Sequence, residues 1–421
     1  DRLDVSLRDA QRAWVWGHKA YGNDWGGWQQ LKLDLLEELN ARAPVHLTTV
    51  GESTGPYWWH AFYHFSHDRD LQPFAPQLVL LNPAHVKHYR KALPEQDKAD
   101  PQDTHLLDHY YRGVGVTHAY HFQERYLRLR TFSRAYARVM QTLAAEKAYL
   151  LAVLYLWGSE YARKGPFSDL CGVTSQAILT EYSDLQRIAD IPLADLTTHL
   201  VQCSGNTFRD PTAKARHLYT VAAQSYPVPT EFAAALHQVI QLTLAHIRLL
   251  SDNQQAYKQL LQQELATLPE TARALAFKGL GPILVAGCQS EIGHTSRFVS
   301  GTKFDRRRQA YRPRTYRDGQ AAVAKLAGLW WPRRDSGHVQ GQRPHLARER
   351  NPYLRYWFVQ AAHTLQRYQP DYRRYYWKKY HEAHSHPHRR AIVLTARKAV
   401  RLIFALLHKG RLACPEEVFS P

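Results

Sequence analysis

Between Leu3 and Leu81 the spacing of apolar residues switches repeatedly from two to about four and back, and that switching limits the folds open to the chain. Leu3, Val5 and Leu7 alternate with polar residues, and Ala13 to Trp16 forms an aromatic-rich run after the polar turn Arg8 to Gln11. This pattern predicts a β-hairpin. Leu31, Leu35 and Leu39 then recur at i+4, which predicts a helix. A β-rich run from Val45 to Val50 ends at Gly51-Glu52, a Trp-, Tyr- and His-rich stretch reads as helical, and the apolar strand Leu78 to Leu81 stops at Asn82-Pro83.

With one further strand ahead of residue 1, this is the element order of an RNase H-like, RuvC-like fold. The expected class is α/β plus α, in three parts: residues 1–116 the RuvC-like part with its first strand truncated, 117–275 a helical coiled-coil region with a polar insertion, and 276–421 a mainly helical C-terminal part. Helical patterning runs from about Ala119 to Tyr161 and again from Glu231 to Leu268. In the second block Leu236, Ile240, Leu244 and Ile247 recur three or four apart, a stripe suited to coiled-coil self-association. Asp169 to Pro229 is polar, with only short helical patches.

With 44% apolar residues among 421, the chain can bury two or three cores. Lys and Arg number 55 against 37 Asp and Glu, a net charge of +18, which favours a polyanionic partner, nucleic acid before membrane. Cys171, Cys203, Cys288 and Cys414 lie far apart without a C-x-x-C pair, which suits a reducing cytosol and argues against a thiolate zinc site. Ala148 to Trp157 is the most apolar stretch, but Glu146 and Lys147 interrupt it upstream and it is shorter than the roughly 20 residues a spanning helix needs, so it reads as a buried helix. The chain opens on Asp1-Arg2-Leu3-Asp4, with no charged and then apolar leader.

Glu52 closes a strand in Gly51-Glu52-Ser53-Thr54-Gly55, and Asp100 and Asp103 stand three apart, so on a helix they share a face. Converging carboxylates offer hard oxygens to Mg²⁺, and paired ions can activate an attacking oxygen and stabilise the leaving one. Taken alone, Asp100-Pro101-Gln102-Asp103 is more simply a helix start, with Asp at the N-cap and Pro at the first helical position.

Lys278-Gly279-Leu280-Gly281-Pro282-Ile283, with Glu291-Ile292-Gly293 following, looks like a helix-hairpin-helix element whose glycine turn presents N–H groups to a phosphate; the bland alternative is an ordinary helix end. Arg306, Arg307, Arg308, Arg312, Arg314 and Arg317 follow, interleaved with Tyr311 and Tyr316. Arg neutralises phosphates and aromatic rings stack on unpaired bases, so the stretch suits DNA or RNA, or else is a solvated basic loop. Tyr372 to Tyr380, with Arg373, Arg374, Trp377, Lys378 and Lys379, reads both as such a surface and as an amphipathic helix. His381, His384, His386 and His388 cross Pro387 beside Arg389-Arg390 and read as a polar loop touching nucleic acid rather than a metal tract.

In Ala327-Gly328-Leu329-Trp330-Trp331-Pro332-Arg333-Arg334-Asp335-Ser336-Gly337 a hydroxyl sits beside a glycine and two guanidinium groups. Such charge can activate a serine and stabilise pentavalent phosphorus, although Ser-Gly usually marks a turn.

In this order the motifs resemble the DEDD transposases of the insertion-sequence family one-ten, which include the Piv-like DNA invertases. The family's Glu-(Ala/Ser)-Thr-Gly-x-Tyr is matched by Glu52 to Tyr57, its apolar strand ending in Asn-Pro by Leu80 to Pro83, and its Lys-Thr-Asp-x-x-Asp by Lys98 to Asp103, with Ala99 in place of Thr. Its Ala-Gly-Leu-x-Pro-Arg-Arg and Ser-Gly are matched through Pro332, Arg333, Arg334, Ser336 and Gly337, with one extra Trp and one residue fewer before the serine. The downstream Ser-Lys-x-Gly is replaced by Ala347 to Asn351, while Tyr353-Leu354-Arg355, and Ala396-Arg397-Lys398 through Leu406-Leu407, match its closing helices.

The resemblance implies a bridge-RNA-guided DNA recombinase acting on donor and target DNA through a phosphoserine at Ser336. Mg²⁺ held by Glu52, Asp100, Asp103 and a first Asp ahead of residue 1 would assist, from the same or another subunit of a dimer or tetramer. Residues 276–421 then become a transposase domain, with Arg333, Arg334, Lys278, Gly279, Gly281, Arg306, Arg307, Arg308, Tyr311, Arg312, Arg314, Arg373, Arg374, Lys378, Arg397 and Lys398 meeting nucleic acid in a prokaryotic cytosol or nucleoid, with no membrane partner. A RuvC-like nuclease using water, and a non-catalytic nucleic-acid-binding protein, remain open alternatives.

Overall fold

The computed structural model describes the chain except residues 1, 10, 12, 43, 94–99, 115–118, 306–307, 333–345, 348–349 and 414–421 and the side chains of residues 100 and 114. It forms two compact units, Asp1–Gln123 and Glu124–Pro421.

In the first unit, β1 (Arg2–Arg8) and β2 (Trp14–Gly22) pair antiparallel, with Leu3 opposite Tyr21 and Arg8 opposite Trp14, as the alternation predicts. The Asp24 carboxylate accepts the Gly27 N–H at 2.8 Å and starts α1 (Trp25–Ala41), whose Leu31, Leu35 and Leu39 are buried. β3 (Thr48–Glu52), α2 (Trp58–His67) and β4 (Gln77–Leu81) follow; the run from Val45 becomes strand only at Thr48. β3 and β4 pair in parallel, setting Glu52 opposite Leu81. A Cβ on Gly51 would lie 2.3 Å from the Phe62 ring, so α2 reaches β3 only because this residue is glycine. Asn82 ends β4 and also begins α3 (Pro83–Arg90), accepting the Ala84 N–H at 2.9 Å.

α4 (Asp100–Val114) lays Leu106 and Tyr110 against Val79, Leu81 and Val86, with Val50 at the margin. It also reaches β1: the Thr104 and Ser6 hydroxyls meet at 2.5 Å, and Asp108 accepts from Arg8 at 2.5 Å. The order of strands and helices agrees with the expected one. Among the described residues, though, β1–β2 and β3–β4 are two separate two-stranded sheets. The helix expected from Ala119 begins later, because the Tyr120 N–H donates to Leu78 O at 2.7 Å and holds the chain against β4.

The second unit is helical. α5 (Glu124–Trp157), α6 (Ser159–Lys164), α7 (Val173–Glu181), α8 (Leu193–Ser204), α9 (Pro211–Gln224) and α10 (Thr230–Ala266) form its first part. Leu236, Ile240, Leu244 and Ile247 of α10 are buried with Leu143, Leu150, Val153, Leu154 and Trp157 of α5 and with residues of α7 to α9. The stripe that suggested self-association is therefore covered within the chain. The polar stretch Asp169 to Pro229 is folded into this core through Ile178, Leu196, Leu200, Leu218 and Val221. By length and composition α5 contains a stretch sufficient to cross a membrane; in this fold one face is buried while Tyr149, Leu151, Tyr155 and Leu156 are exposed, so Ala148 to Trp157 is only half the buried helix expected.

The second part comprises α11 (Ala272–Leu275), α12 (Pro282–Ile292), the hairpin β5 (Thr302–Asp305) and β6 (Ala310–Pro313), α13 (Tyr316–Leu326), α14 (Pro352–Tyr368), α15 (Pro370–His381) and α16 (Pro387–Leu412). Trp357, Phe358, Val400 and Phe404 centre its core, which the start of α5 also joins. A Cβ on Gly287 would lie 2.2 Å from the Trp357 ring, so glycine there lets α12 and α14 close on each other.

Candidate functional site

The carboxylates stand at the end of a strand and the start of the helix packed across it. Glu52 is the last residue of β3, half-buried; its Oε1 accepts from the Thr54 hydroxyl at 2.5 Å. Asp103 lies in the first turn of α4, one turn before buried Leu106, and its Oδ1 accepts from Arg90. Asp100 is the first residue of α4, and its side chain lies outside the description. Among the described residues no three His, Cys, Asp or Glu side chains come together as a metal site. Glu52 Oε2 and Asp103 Oδ2 have no hydrogen-bond partner among those residues, and such oxygens suit a hard divalent cation.

Arg333, Arg334 and Ser336 lie outside the described residues, but both flanks of their segment are described. On one side Ala327, Gly328 and Leu329 are buried after α13, with Gly328 at φ +64°. On the other, buried Ala347 donates its N–H to Trp330 O at 3.1 Å, and Asn351 donates its N–H to Leu326 O at 2.8 Å.

The glycine turn joins α11 and α12, as a helix-hairpin-helix reading requires, although α11 is only four residues long. Gly279 holds φ +101°, where a side chain is strained. Its carbonyl accepts from the Thr364 hydroxyl at 2.7 Å and that of Lys278 from Gln369 at 2.6 Å, while the Lys278 side chain is exposed and Gly281 caps α12.

The basic residues fall into two groups. Arg312 is tied into its own unit: its Nη1 donates to Asp318 at 2.7 Å and its Nε to Asp305 at 3.3 Å. Hydrogen bonds from Arg312, Lys303 and Thr315 hold Asp318 far below the usual carboxylate range. Arg314 donates to Thr302 O at 3.3 Å. Arg308 is exposed at the hairpin turn beside Tyr311, which is 74% exposed, while Arg306 and Arg307 lie outside the described residues.

On α15, Tyr372 and Tyr376 face the core and Arg373, Arg374, Trp377 and Lys378 face outward. Trp377 is 49% exposed; its ring stacks on His381 at 5.8 Å between centres and meets Tyr380 edge-on at 5.2 Å. Lys398 of α16 lies 4.7 Å from the Tyr372 ring centre and 5.0 Å from that of Tyr375. Arg397 is half-buried, its Nη1 has no hydrogen-bond partner among the described residues, and burial lowers its proton affinity. Of the histidine tract, His388 pairs with the Tyr376 hydroxyl at 2.7 Å and His386 precedes α16 in a left-handed conformation.

The motif reading passed over the role of Glu291. This residue is 3% exposed, near the end of α12, and its two oxygens accept from Arg134 at 2.7 and 2.9 Å. Burial alone would raise its carboxyl; Arg134 and Asn351 hold it below its ordinary value. The signal was a lone acid inside Pro282-Ile283-Leu284-Val285-Ala286 to Ile292.

A family model described as a transposase, of the DEDD type, matches residues 3–157, which reach from β1 through α5. A second, described as Transposase IS116/IS110/IS902 family, matches residues 313–377, from the end of β6 into α15 and across Ser336. Together the matches cover just over half of the chain, which belongs to the IS110 family: it is a transposase, an enzyme of DNA transposition and recombination. Its substrates are DNA, and DEDD transposases typically use a divalent metal. A search of curated proteins finds no match.

Proposed function

We propose that this transposase is an RNA-guided recombinase that cuts and rejoins DNA through a phosphoserine link at Ser336. The observation that carries the reading is the position of Ser336-Gly337 between two anchored flanks, Ala327–Trp330 and Ala347–Asn351, within the second transposase match.

The Ser336 hydroxyl attacks a DNA phosphorus, forming a serine O–P bond as the bond to a sugar oxygen breaks. The serine proton passes to solvent or a base, and the leaving sugar oxygen is protonated. A sugar hydroxyl of the partner strand then reverses the exchange, so each phosphodiester is regenerated without a nucleotide cofactor. Arg333 and Arg334 offset charge on the pentavalent phosphorus.

Glu52, Asp100 and Asp103 would hold Mg²⁺, which when bound supplies positive charge to phosphate oxygens. Thr54 and Arg90 orient the two described carboxylates. Tyr311 and Trp377 offer ring faces to unpaired bases, with Lys278, Arg308 and Lys378 exposed toward phosphates of DNA and guide RNA, and with Arg373, Arg374 and Lys398 joining them by exchanging their acceptors at Gln366, Arg367 and Asp371. The active form is a dimer or tetramer in the prokaryotic cytosol.

The test is to co-purify the protein with RNA from its native locus, sequence that RNA, and recombine DNA matching it with wild type and Ser336→Ala. The expected result is one discrete RNA, RNA-dependent recombination, and a covalent protein–DNA adduct only with the serine. Cleavage retained by Ser336→Ala without any adduct in wild type rejects the serine mechanism in favour of water; recombination that needs no RNA rejects guidance.

A further inference from the structure

We infer that Arg355 is a positioning residue that clamps together the two ends of the segment carrying Ser336, and that Asn351 and Glu291 hold the clamp in place. The inference rests on the serine reading above and extends it to residues on other helices.

α13 ends at Leu326, and its last four carbonyls are met by the backbone N–H groups of Ala327, Leu329, Gly328 and Asn351, so the next carbonyls along the chain, those of Ala327 and Gly328, need a partner from elsewhere. Arg355, in the first turn of α14, is that partner: its Nε donates to Ala327 O at 3.1 Å and its Nη2 to Gly328 O. The same Nη2 donates to Ala347 O at 3.2 Å. One planar guanidinium therefore spans the chain before and after the intervening segment, a geometry its fixed fork of donors suits and an ammonium does not. The backbone repeats the closure, through Ala347 N–H to Trp330 O at 3.1 Å and Asn351 N–H to Leu326 O at 2.8 Å.

Two further contacts fix Arg355 itself. Asn351 Oδ1 accepts the Leu354 N–H at 3.0 Å and caps α14, while its Nδ2 donates to Glu291 Oε2 at 2.7 Å. Glu291 is in turn held by the forked contact from Arg134, whose guanidinium also lies 4.9 Å from the Tyr353 ring centre. The chain of contacts runs from α5 through α12 to the start of α14 and ends on the carbonyls that flank residues 331–346. Holding both ends of a segment restricts the conformations open to it. Glu291 is buried and Asn351 and Arg355 are half-buried, each committed to a partner, with only Arg134 reaching solvent, so the clamp is built rather than incidental.

The experiment uses the full chain with Arg355→Gln and Arg355→Lys. First, trypsin cleavage after Arg333, Arg334, Arg348 and Arg350 is timed under native conditions; it is expected to quicken in Arg355→Gln, less in Arg355→Lys, and not at all in Ser336→Ala. Second, the single-turnover rate of protein–DNA adduct formation at saturating DNA is expected to fall on the order of a hundredfold in Arg355→Gln, the effect of misplacing a reacting group by about 1 Å, with Kd for DNA within about twofold of wild type. Unchanged cleavage by trypsin, an unchanged adduct rate, or a loss confined to Kd overturns the inference. So does loss of cooperative melting in both variants, since Arg355 would then be a core residue only. If Ser336→Ala still forms the adduct, the serine reading fails, and the trypsin comparison alone still reports on the clamp.

Discussion

The two units treat their motif acids in opposite ways. In the first, Glu52 and Asp103 sit at element ends, half-buried, with one oxygen each bound to a local partner. In the second, Glu291 is buried in the middle of packed helices, and its oxygens accept three donors from two other helices. An acid that must receive a metal has to keep oxygens available and tolerate repulsion between carboxylates, whereas an acid that holds helices together must surrender its oxygens to fixed donors. Motif membership alone does not separate these roles; partners and burial do.

The sharpest way to break the contrast is to neutralise each acid in turn. Asp103→Asn, and separately Glu52→Gln, is expected to lower metal-dependent DNA cleavage on the order of a thousandfold, the several kcal/mol a catalytic metal supplies. Melting should shift little, because the Arg90–Asp103 pair is partly exposed and worth about 1 kcal/mol or less. Glu291→Ala should do the reverse: it takes the shared acceptor from half-exposed Arg134 and from Asn351 and costs about 1–2 kcal/mol in denaturant unfolding. If Glu291→Ala melts like wild type, or Asp103→Asn unfolds the first unit while cleaving normally, the division of roles is wrong.

The same contrast explains what could be read without coordinates. Period two gave the β1–β2 hairpin and period four gave α1, because each pattern serves a single buried face, as Leu31, Leu35 and Leu39 show. The α10 stripe was equally legible, but its partner was not. Apolar spacing says that a face is buried and not by what; here α5 and the helices from Val173 to Gln224 cover it. Those short helices were obscure because their surfaces are polar and only scattered residues such as Ile178 and Leu218 reach the core. Glu52 and Asp103 could be picked out by motif, whereas the Arg355 clamp joins residues about thirty apart through backbone carbonyls, which leave no mark in composition.

A smaller effect separates the two units' acids from a buried base. His294 is held down to about 4 by burial and by the nearby charges of Arg411, Arg125 and His408, and its Nε2 accepts from Arg411 at 3.0 Å. Its folded pKa lies below the unfolded 6.5, so the unfolded chain binds the extra proton first. Stability is therefore complete above about pH 6.5 and declines as pH falls toward 4. His408, also lowered by burial, acts in the same direction. Glu291, with its folded pKa depressed, contributes stability above its ordinary 4.5 and loses it only as pH falls further. The two windows are distinct. Tm measured from pH 7.5 to 5 should fall in wild type and fall less in His294→Gln; equal slopes would remove His294 from the account.

The smallest effect tests the cations in the same way as the acids. Arg312 is neutralised by Asp305 and Asp318, whereas Lys378 projects from the outer face of α15 next to Trp377. A cation already paired within the protein releases few counterions when DNA arrives, but an outward-facing one that meets a phosphate releases about one. Plotting log Kobs against log salt concentration, Lys378→Ala should reduce the slope by about 1. Arg312→Ala should leave the slope unchanged while lowering Tm slightly, since it removes one partner of Asp318 and leaves Lys303 and Thr315 in place. If Arg312→Ala takes a full unit from the slope and Lys378→Ala takes none, the β5–β6 hairpin, and not α15, is the surface that meets DNA, and the paired arginine must exchange its carboxylates for phosphate on binding.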